Sequence, residues 1–261
     1  MKRNFVSFML ACALCSNAFA GEKIIVGATP VPHAEILEAI KGDLAKKGFD
    51  LEIKEFNDYV VPNVATAEGE LDANFYQHKP YLEEFNKNKG TNLVATVSVH
   101  LEPMGVYSKK IKSLKELKNG AKVTIPNDPT NESRALDVLA AAGLIELGDG
   151  ALKTPLDITK NPLNLEFVEL EGASLPRVLD DCDISVINTN FAFNAGLNPT
   201  KDALAIESKD SPYANIVVVR SGDENSKKIK ALDEALTSQT VGEPTNMGAL
   251  KNLSKKNMVA R

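Results

Sequence analysis

Asn127-Asp128-Pro129-Thr130-Asn131-Glu132-Ser133-Arg134-Ala135-Leu136 joins two patterns of different period. Ahead of it, Ala121-Lys122-Val123-Thr124-Ile125-Pro126 reads as a strand. Behind it, Leu136, Leu139, Ala140 and Gly143 fall on one face at helical spacing. The link holds turn formers and N-cap residue types, and Pro129 suits the first turn of a helix. Strand, turn and helix N-terminus therefore follow in order. A helix N-terminus offers unpaired backbone N–H groups and the positive end of a dipole. Arg134 lies about a turn in, and helical side chains lean back toward the N-terminus. Its guanidinium fork could face the same space, giving a carboxylate-sized anion site. Taken alone, the segment reads first as a capped helix carrying an exposed arginine, and only second as an anion site.

The same alternation of strand and helix extends in both directions. Upstream, Lys23–Ala28 is a buried strand, and Ile36, Leu37, Ile40 and Leu44 mark a helix closed near Gly48. Leu51–Phe56 alternates as a strand, and Tyr59–Glu68 reads as a weaker helix. Leu71–Tyr76 is a strand, Tyr81, Leu82 and Phe85 imply a helix, and Leu93–Leu101 is a strand. Such alternation places helices on a mostly parallel sheet. Glu102-Pro103-Met104-Gly105 interrupts it. It restarts with a helix over Ser113–Lys118, then the strand and helix already described. A loop follows over about Gly148 to Asn164. Next come a strand at Leu165–Leu170, a short helix at Ala173–Leu179, a strand at Ile184–Asn188 and a helix at Asn190–Ala195. Ala203–Glu207 is strand-like, Ile216–Arg220 is a buried strand, and Ile229, Leu232 and Leu236 define a last helix.

Two α/β series with a break near Pro103 predict two lobes. The chain would cross near Leu101–Tyr107 and return near Tyr213–Val219, with a ligand between the lobes beyond the strand ends. The expected division is 1–20 as a signal peptide, 21–102 with 213–261 as the first lobe, and 103–212 as the second.

Composition narrows the function classes. The chain has 261 residues, a net charge of −5 and 43% hydrophobic residues, without basic runs, which argues against nucleic-acid binding. Lys2 and Arg3, the short apolar run Phe5–Leu14 and Ala18-Phe19-Ala20 make an export signal cleaved before Gly21. Met9-Leu10-Ala11-Cys12 fits a lipidation box poorly, so export to the periplasm without a lipid is expected. Cys182 then stands alone between Asp181 and Asp183, whose charges disfavour a reactive thiolate.

Catalytic residues do not converge. His33, His78 and His100 form no His-x-x-x-His pair and join no Cys/His cluster, so neither a metal nor a cofactor is expected. No nucleophile elbow, phosphate loop or dinucleotide fingerprint occurs. The densest aromatic stretch is Asp72-Ala73-Asn74-Phe75-Tyr76-Gln77-His78-Lys79-Pro80-Tyr81-Leu82. Tyr76, His78 and Tyr81, with Tyr59 before them, could converge as a cleft wall with polar tips. Core packing is the commoner fate of such rings. Asn188 at a strand end and Asn215 near the return crossing could each hydrogen-bond a polar ligand, although asparagine there is commonly a turn former.

Taken in order, Asn57-Asp58-Tyr59-Val60-Val61-Pro62-Asn63, then Asp72–Leu82, Tyr107–Ser113, Asn127–Asn131, Ile187-Asn188-Thr189 and Ser211-Pro212-Tyr213-Ala214-Asn215 resemble the NlpA family, the methionine-binding components of bacterial ABC importers. The resemblance covers essentially the whole mature chain. It implies a two-lobed periplasmic-binding-protein fold, type II-like, with two crossover segments. It also implies methionine as ligand and an ABC-importer permease with its cytoplasmic ATPase as partner. Tyr59, Tyr76, His78 and Tyr81 match the family's wall around the thioether. Arg134 matches its carboxylate-binding arginine, and Asn188 and Asn215 match the asparagines that hold the backbone end of the amino acid. Tyr76 stands where phenylalanine is also common, and many members are lipoproteins. The expectation is a monomeric, non-enzymatic receptor. Its rivals are a receptor for another apolar amino acid or a methionine-containing dipeptide, a metal receptor using His33, His78 and His100, and a secreted hydrolase built on His78.

Overall fold

The computed structural model describes residues 21–238 except Lys209. The signal segment, the lipidation question and the stretch beyond 238 assigned to the first lobe lie outside the described residues. The first lobe opens with β1 (Glu22–Ala28), α1 (Glu35–Lys46), β2 (Phe49–Glu55), α2 (Val61–Ala67), β3 (Ala73–His78), α3 (Lys79–Lys89) and β4 (Leu93–Leu101). The second holds β5 (Gly105–Tyr107), β6 (Lys122–Pro126), α4 (Pro129–Ala141), β7 (Glu146–Leu147), β8 (Ile158–Lys160) and β9 (Glu166–Leu170). It continues with β10 (Ile184–Ile187), α5 (Thr189–Asn194), α6 (Pro199–Asp202) and β11 (Ala205–Ile206). The chain then returns to the first lobe as β12 (Ala214–Arg220) and α7 (Lys227–Thr237).

One five-stranded sheet has the order β2-β1-β3-β12-β4, the other β11-β5-β10-β6-β9. The first therefore takes strands from 22–101 and 214–220, the second from 105–206. The chain passes between them at 102–104 and again at 207–213. Neither sheet is as uniformly parallel as alternation suggested. β12 runs antiparallel to both β3 and β4, and β5 runs antiparallel to β10 and β11. The reason is that β5 and β12 each follow a crossover, so they enter their sheets from the other lobe rather than through a helical connection.

Burial follows the patterns read from the sequence. Ile24, Val26 and Ala28 of β1 and Ile36, Leu37, Ile40 and Leu44 of α1 are fully buried in the first core, joined by Ile229, Leu232 and Leu236 of α7. Val123, Ile125, Leu136, Leu139, Ile184 and Val186 build the second. Gly48, at φ +84°, carries the chain out of α1 in the left-handed region that glycine tolerates. Two local expectations fail. Ser113–Lys118 is only a three-residue 3-10 turn at Leu114–Glu116, because the segment is too short to present an apolar stripe. The stretch read as the loop 148–164 contains β8, paired antiparallel with β7. Among the described residues no helix is long and apolar enough to cross a membrane.

Candidate functional site

The site is assembled where β3, α4 and α5 meet between the lobes. Tyr76 and His78 lie on the last turn-ward half of β3, which is buried along its whole length. His78 also caps α3: its Nδ1 accepts from the Tyr81 backbone N–H at 3.2 Å. That bond assigns the ring proton to Nε2, which faces Asn131 Oδ1 at 3.2 Å across the cleft. Burial, and then the nearby positive Arg134, pull the His78 pKa down to about 3, so the ring is neutral at ordinary pH.

Tyr59 is the keystone of the wall. Its backbone carbonyl accepts the hydroxyls of both Tyr76 (2.6 Å) and Tyr81 (2.9 Å). Its own hydroxyl donates to Asn190 Oδ1 on α5 at 2.6 Å, and its ring stacks on Phe191 with centroids 4.8 Å apart. Tyr59 thereby packs against the aromatic cluster of each lobe. Burial raises the Tyr59, Tyr76 and Tyr81 phenols above their ordinary range, so all three remain neutral hydrogen-bonding groups. Behind them, Asn63, Asn74, Gln77 and Thr66 form a buried polar network. In it, Gln77 Nε2 donates to Asn63 Oδ1 (2.6 Å) and Asn74 Oδ1 (2.7 Å).

From the second lobe, α4 presents Asn131. Asp128 caps that helix by accepting from the Asn131 backbone N–H at 3.0 Å, and its carboxylate also takes the Asn131 side-chain amide. Asn131 Oδ1 is thus turned into the cleft, where it receives His78 Nε2 and Asn188 Nδ2, the latter at 2.9 Å. Tyr59, Tyr76, Gln77, His78, Tyr81, Asn131 and Asn188 together line a cavity of about 20 Å³. Asn188 Oδ1 is buried there without a hydrogen-bond partner among the described residues.

Five of the seven sequence candidates, Tyr59, Tyr76, His78, Tyr81 and Asn188, line this cavity. The other two adjoin it. Asn215 is buried on β12, paired in register with His78 and His100. With its amide oriented to satisfy both neighbours, Nδ2 donates to the carbonyls of Gln77 (3.2 Å) and Tyr76 (3.3 Å). Arg134 is buried, but its fork is not free as the sequence suggested. Nε donates to Glu207 Oε1 at 2.9 Å, and Nη2 donates to Glu207 Oε2 at 2.5 Å and to the Glu102 carbonyl at 2.7 Å. The guanidinium also lies 4.4 Å from the centroid of Tyr213, whose ring stands 4.9 Å from that of His78. The reason is steric and electrostatic: a cation this deeply buried takes a nearby carboxylate.

The three histidines do not form one group. His78 belongs to the wall, whereas His33 and His100 converge on Glu102. Their donor atoms and a Glu102 oxygen lie within 4.8 Å of one another. His100 Nε2 is 2.7 Å and His33 Nε2 3.3 Å from Glu102 Oε1, and Thr29 Oγ1 meets His33 Nδ1 at 2.6 Å. Burial alone would raise the Glu102 carboxyl, but His33, His100 and Arg134 hold it below the usual range. Burial lowers His33 to about 4. The cluster anchors the first crossover to the first lobe through one carboxylate. Cys182 is buried beside Thr124, and burial raises its thiol, which keeps it unreactive.

Sequence reasoning missed Asn131, Gln77, Asn190, Tyr213 and Glu207. Asn131, Gln77 and Tyr213 stood inside quoted motifs without being singled out. The partners of the others are set by the fold.

The sequence model of the NlpA lipoprotein family matches residues 24–249. The D-methionine-binding lipoprotein MetQ of Escherichia coli K12 is 46% identical over 227 residues, covering 85% of this chain and 83% of the relative. The methionine-binding lipoprotein MetQ of Bacillus subtilis is 44% identical over 248 residues, covering 91% and 89%. Among solved structures, a nutrient-binding protein of Burkholderia cenocepacia bound to methionine superposes with a TM-score of 0.82 at 44% identity, covering 90% of this chain and 96% of that one. A periplasmic substrate-binding protein of an ABC transporter from Coxiella burnetii gives 0.82 at 43%, covering 89% and 96%. The two-sheet architecture is that of periplasmic substrate-binding proteins, and the chain belongs to the NlpA lipoprotein family.

Proposed function

We propose that this protein is an exported receptor that captures methionine between its lobes and delivers it to an ABC-importer permease driven by a cytoplasmic ATPase. The observation that carries the reading is a cavity with two kinds of wall. Neutral aromatic hydroxyls and rings come from the first lobe, and amides, including the unpartnered Asn188 Oδ1, come from the second. Aromatic rings suit a thioether, which is polarizable and unbranched. Amide oxygens suit an ammonium group. The α-carboxylate would meet Arg134 through Nη1, the nitrogen that Glu207 and Glu102 leave uncommitted. Asn215 would steady the wall at the same end.

A cavity of about 20 Å³ has room for about one water molecule. Entry of an amino acid therefore requires the lobes to part, and binding would shift the open–closed equilibrium that a permease reads. The receptor would act in the periplasm as a monomer, without covalent chemistry, with 21–102 and 213–261 moving against 103–212. Relatives carry the name lipoprotein, so the N-terminus is tested directly: we expect Gly21, and a diacylglyceryl-modified Cys12 in the intact mass would refute it.

The decisive experiment denatures the purified protein, identifies any released small molecule by mass spectrometry, and titrates methionine calorimetrically into the stripped protein. Arg134→Ala should cost about 2–5 kcal/mol of binding, the usual loss when one partner of a buried charge pair is removed. Absence of a methionine heat in the folded wild type would end the proposal.

A further inference from the structure

We infer that Glu207 is a positioning residue for ligand recognition, holding Arg134 so that Nη1 faces the carboxylate of a bound amino acid. The inference rests on the proposed role of Arg134. Glu207 sits at the second crossover, immediately after β11, and reaches 73 residues back in sequence to Arg134. Its side chain and that of Arg134 are 10% and 4% exposed. Both carboxylate oxygens are used twice. Oε1 accepts Arg134 Nε and Ser211 Oγ (3.0 Å), and Oε2 accepts Arg134 Nη2 and the Met104 backbone N–H (3.0 Å). Met104 lies at the first crossover, as does the Glu102 carbonyl that takes the remaining Nη2 proton. The guanidinium plane is thus fixed by the first crossover, the second crossover and the Tyr213 ring at once.

This arrangement has two consequences. A guanidinium has five N–H donors in a rigid fork, and three point away from the cleft once Glu207 and Glu102 are satisfied. Only Nη1 is left to recognise an anion, in an orientation its partners dictate. Both segments along which the lobes are joined also converge on the ligand-binding cation. A carboxylate on Nη1 would therefore bear on the hinge and on the cleft together. Glu207 touches no ligand in this scheme and acts through Arg134.

Calorimetric titration with two ligands tests this: methionine, and methioninol, which lacks the carboxylate. Glu207→Ala should weaken methionine about tenfold or more, as loss of hydrogen bonds to a charged group does, and leave methioninol nearly unchanged. Glu207→Gln keeps the shape and one acceptor, so it should fold normally and show a smaller loss with the same selectivity. In an Arg134→Ala background, Glu207→Ala should add no further loss of methionine affinity, because the route runs through the arginine. Equal weakening of both ligands, unchanged or tighter methionine binding in Glu207→Gln and Glu207→Ala, or additive losses in the double variant would overturn the inference. If Arg134→Ala alone leaves methionine affinity intact, the assignment of Arg134 fails and this inference with it. If Arg134→Ala weakens binding and the Glu207 variants do not, only the positioning role is lost.

Discussion

Tyr59 does most of its work through atoms other than its ring. Its carbonyl collects two tyrosine hydroxyls within the first lobe, and its own hydroxyl crosses to Asn190 at 2.6 Å. Tyr59→Phe removes only that crossing bond and keeps the stack on Phe191. A part-buried neutral hydrogen bond is worth about 1 kcal/mol, so methionine affinity should fall roughly fivefold. Because the bond joins the lobes, the change should lie mainly in the dissociation rate. A variant with wild-type dissociation kinetics would show that the bond plays no part in closure. At this scale the sequence was informative about residue types that carry chemistry in a local motif. Tyr76, His78 and Tyr81 share one strand-to-helix junction, so their convergence followed from periodicity. Glu207 and Tyr213 were illegible because their meaning comes from Arg134, far away in sequence. The fork geometry was misjudged for the same reason: nothing near Arg134 in the chain announces the carboxylate that takes it.

The element that matters most is α4, because its capped N-terminus and its cavity-lining residue, Asn131, are the same turn. Asp128 caps the helix and also holds the Asn131 side chain, with both carboxylate oxygens 3.0 Å from Nδ2. Ser226 caps α7 through the Ile229 N–H at 3.4 Å, remote from the cleft. Asp128→Ala and Ser226→Ala should each cost about 1 kcal/mol of stability, the usual value of a cap. Only Asp128→Ala should also weaken methionine binding, since Asn131 loses its orientation. Chemical denaturation paired with calorimetry checks this, and an equal effect of the two variants on affinity would break the argument. The strand, turn and helix around Asp128 were readable because capping chemistry is local. The 3-10 turn at Leu114–Glu116 and the β7–β8 pair were not. The first has too few residues for periodicity to discriminate, and the second pairs strands of two and three residues, too short for alternation to register.

At the scale of the whole molecule, the two lobes, each built on one five-stranded sheet, and their two crossovers were visible in the sequence as two α/β series broken near Pro103. Strand direction was not, because β12 and β5 take theirs from the lobe they come from. The same assembly buries groups of opposite acid–base character, and its pH response follows from them. His78 is lowered to about 3 and His33 to about 4, while Glu132 is raised to about 7 by burial and by facing Glu169, and Asp233 to about 6 by burial. A histidine with a depressed folded pKa stabilises the native state above its unfolded value of about 6.5, and that stability is lost as pH falls from there toward the folded value. A carboxyl with a raised folded pKa does the reverse: its contribution is present at low pH and is lost as pH rises through the folded value. Between about pH 4.5 and 6.5 the two sets oppose each other, so the wild type should be nearly flat. Single substitutions should tilt the curve in opposite directions. His78→Asn keeps a cap acceptor for the Tyr81 N–H but cannot titrate. The deficit of this variant relative to wild type should shrink as pH falls below about 6.5, by up to roughly 1.4 kcal/mol per pH unit. Glu132→Gln removes a carboxylate held against Glu169, so it should be more stable than wild type at pH 8. That advantage should vanish by about pH 4.5, where the unfolded carboxyl protonates too. Urea unfolding from pH 4.5 to 8 on the three proteins measures all of this. Parallel curves would mean that neither group changes its proton affinity on folding, and tilts of the same sign would mean that one of the two environments has been misread.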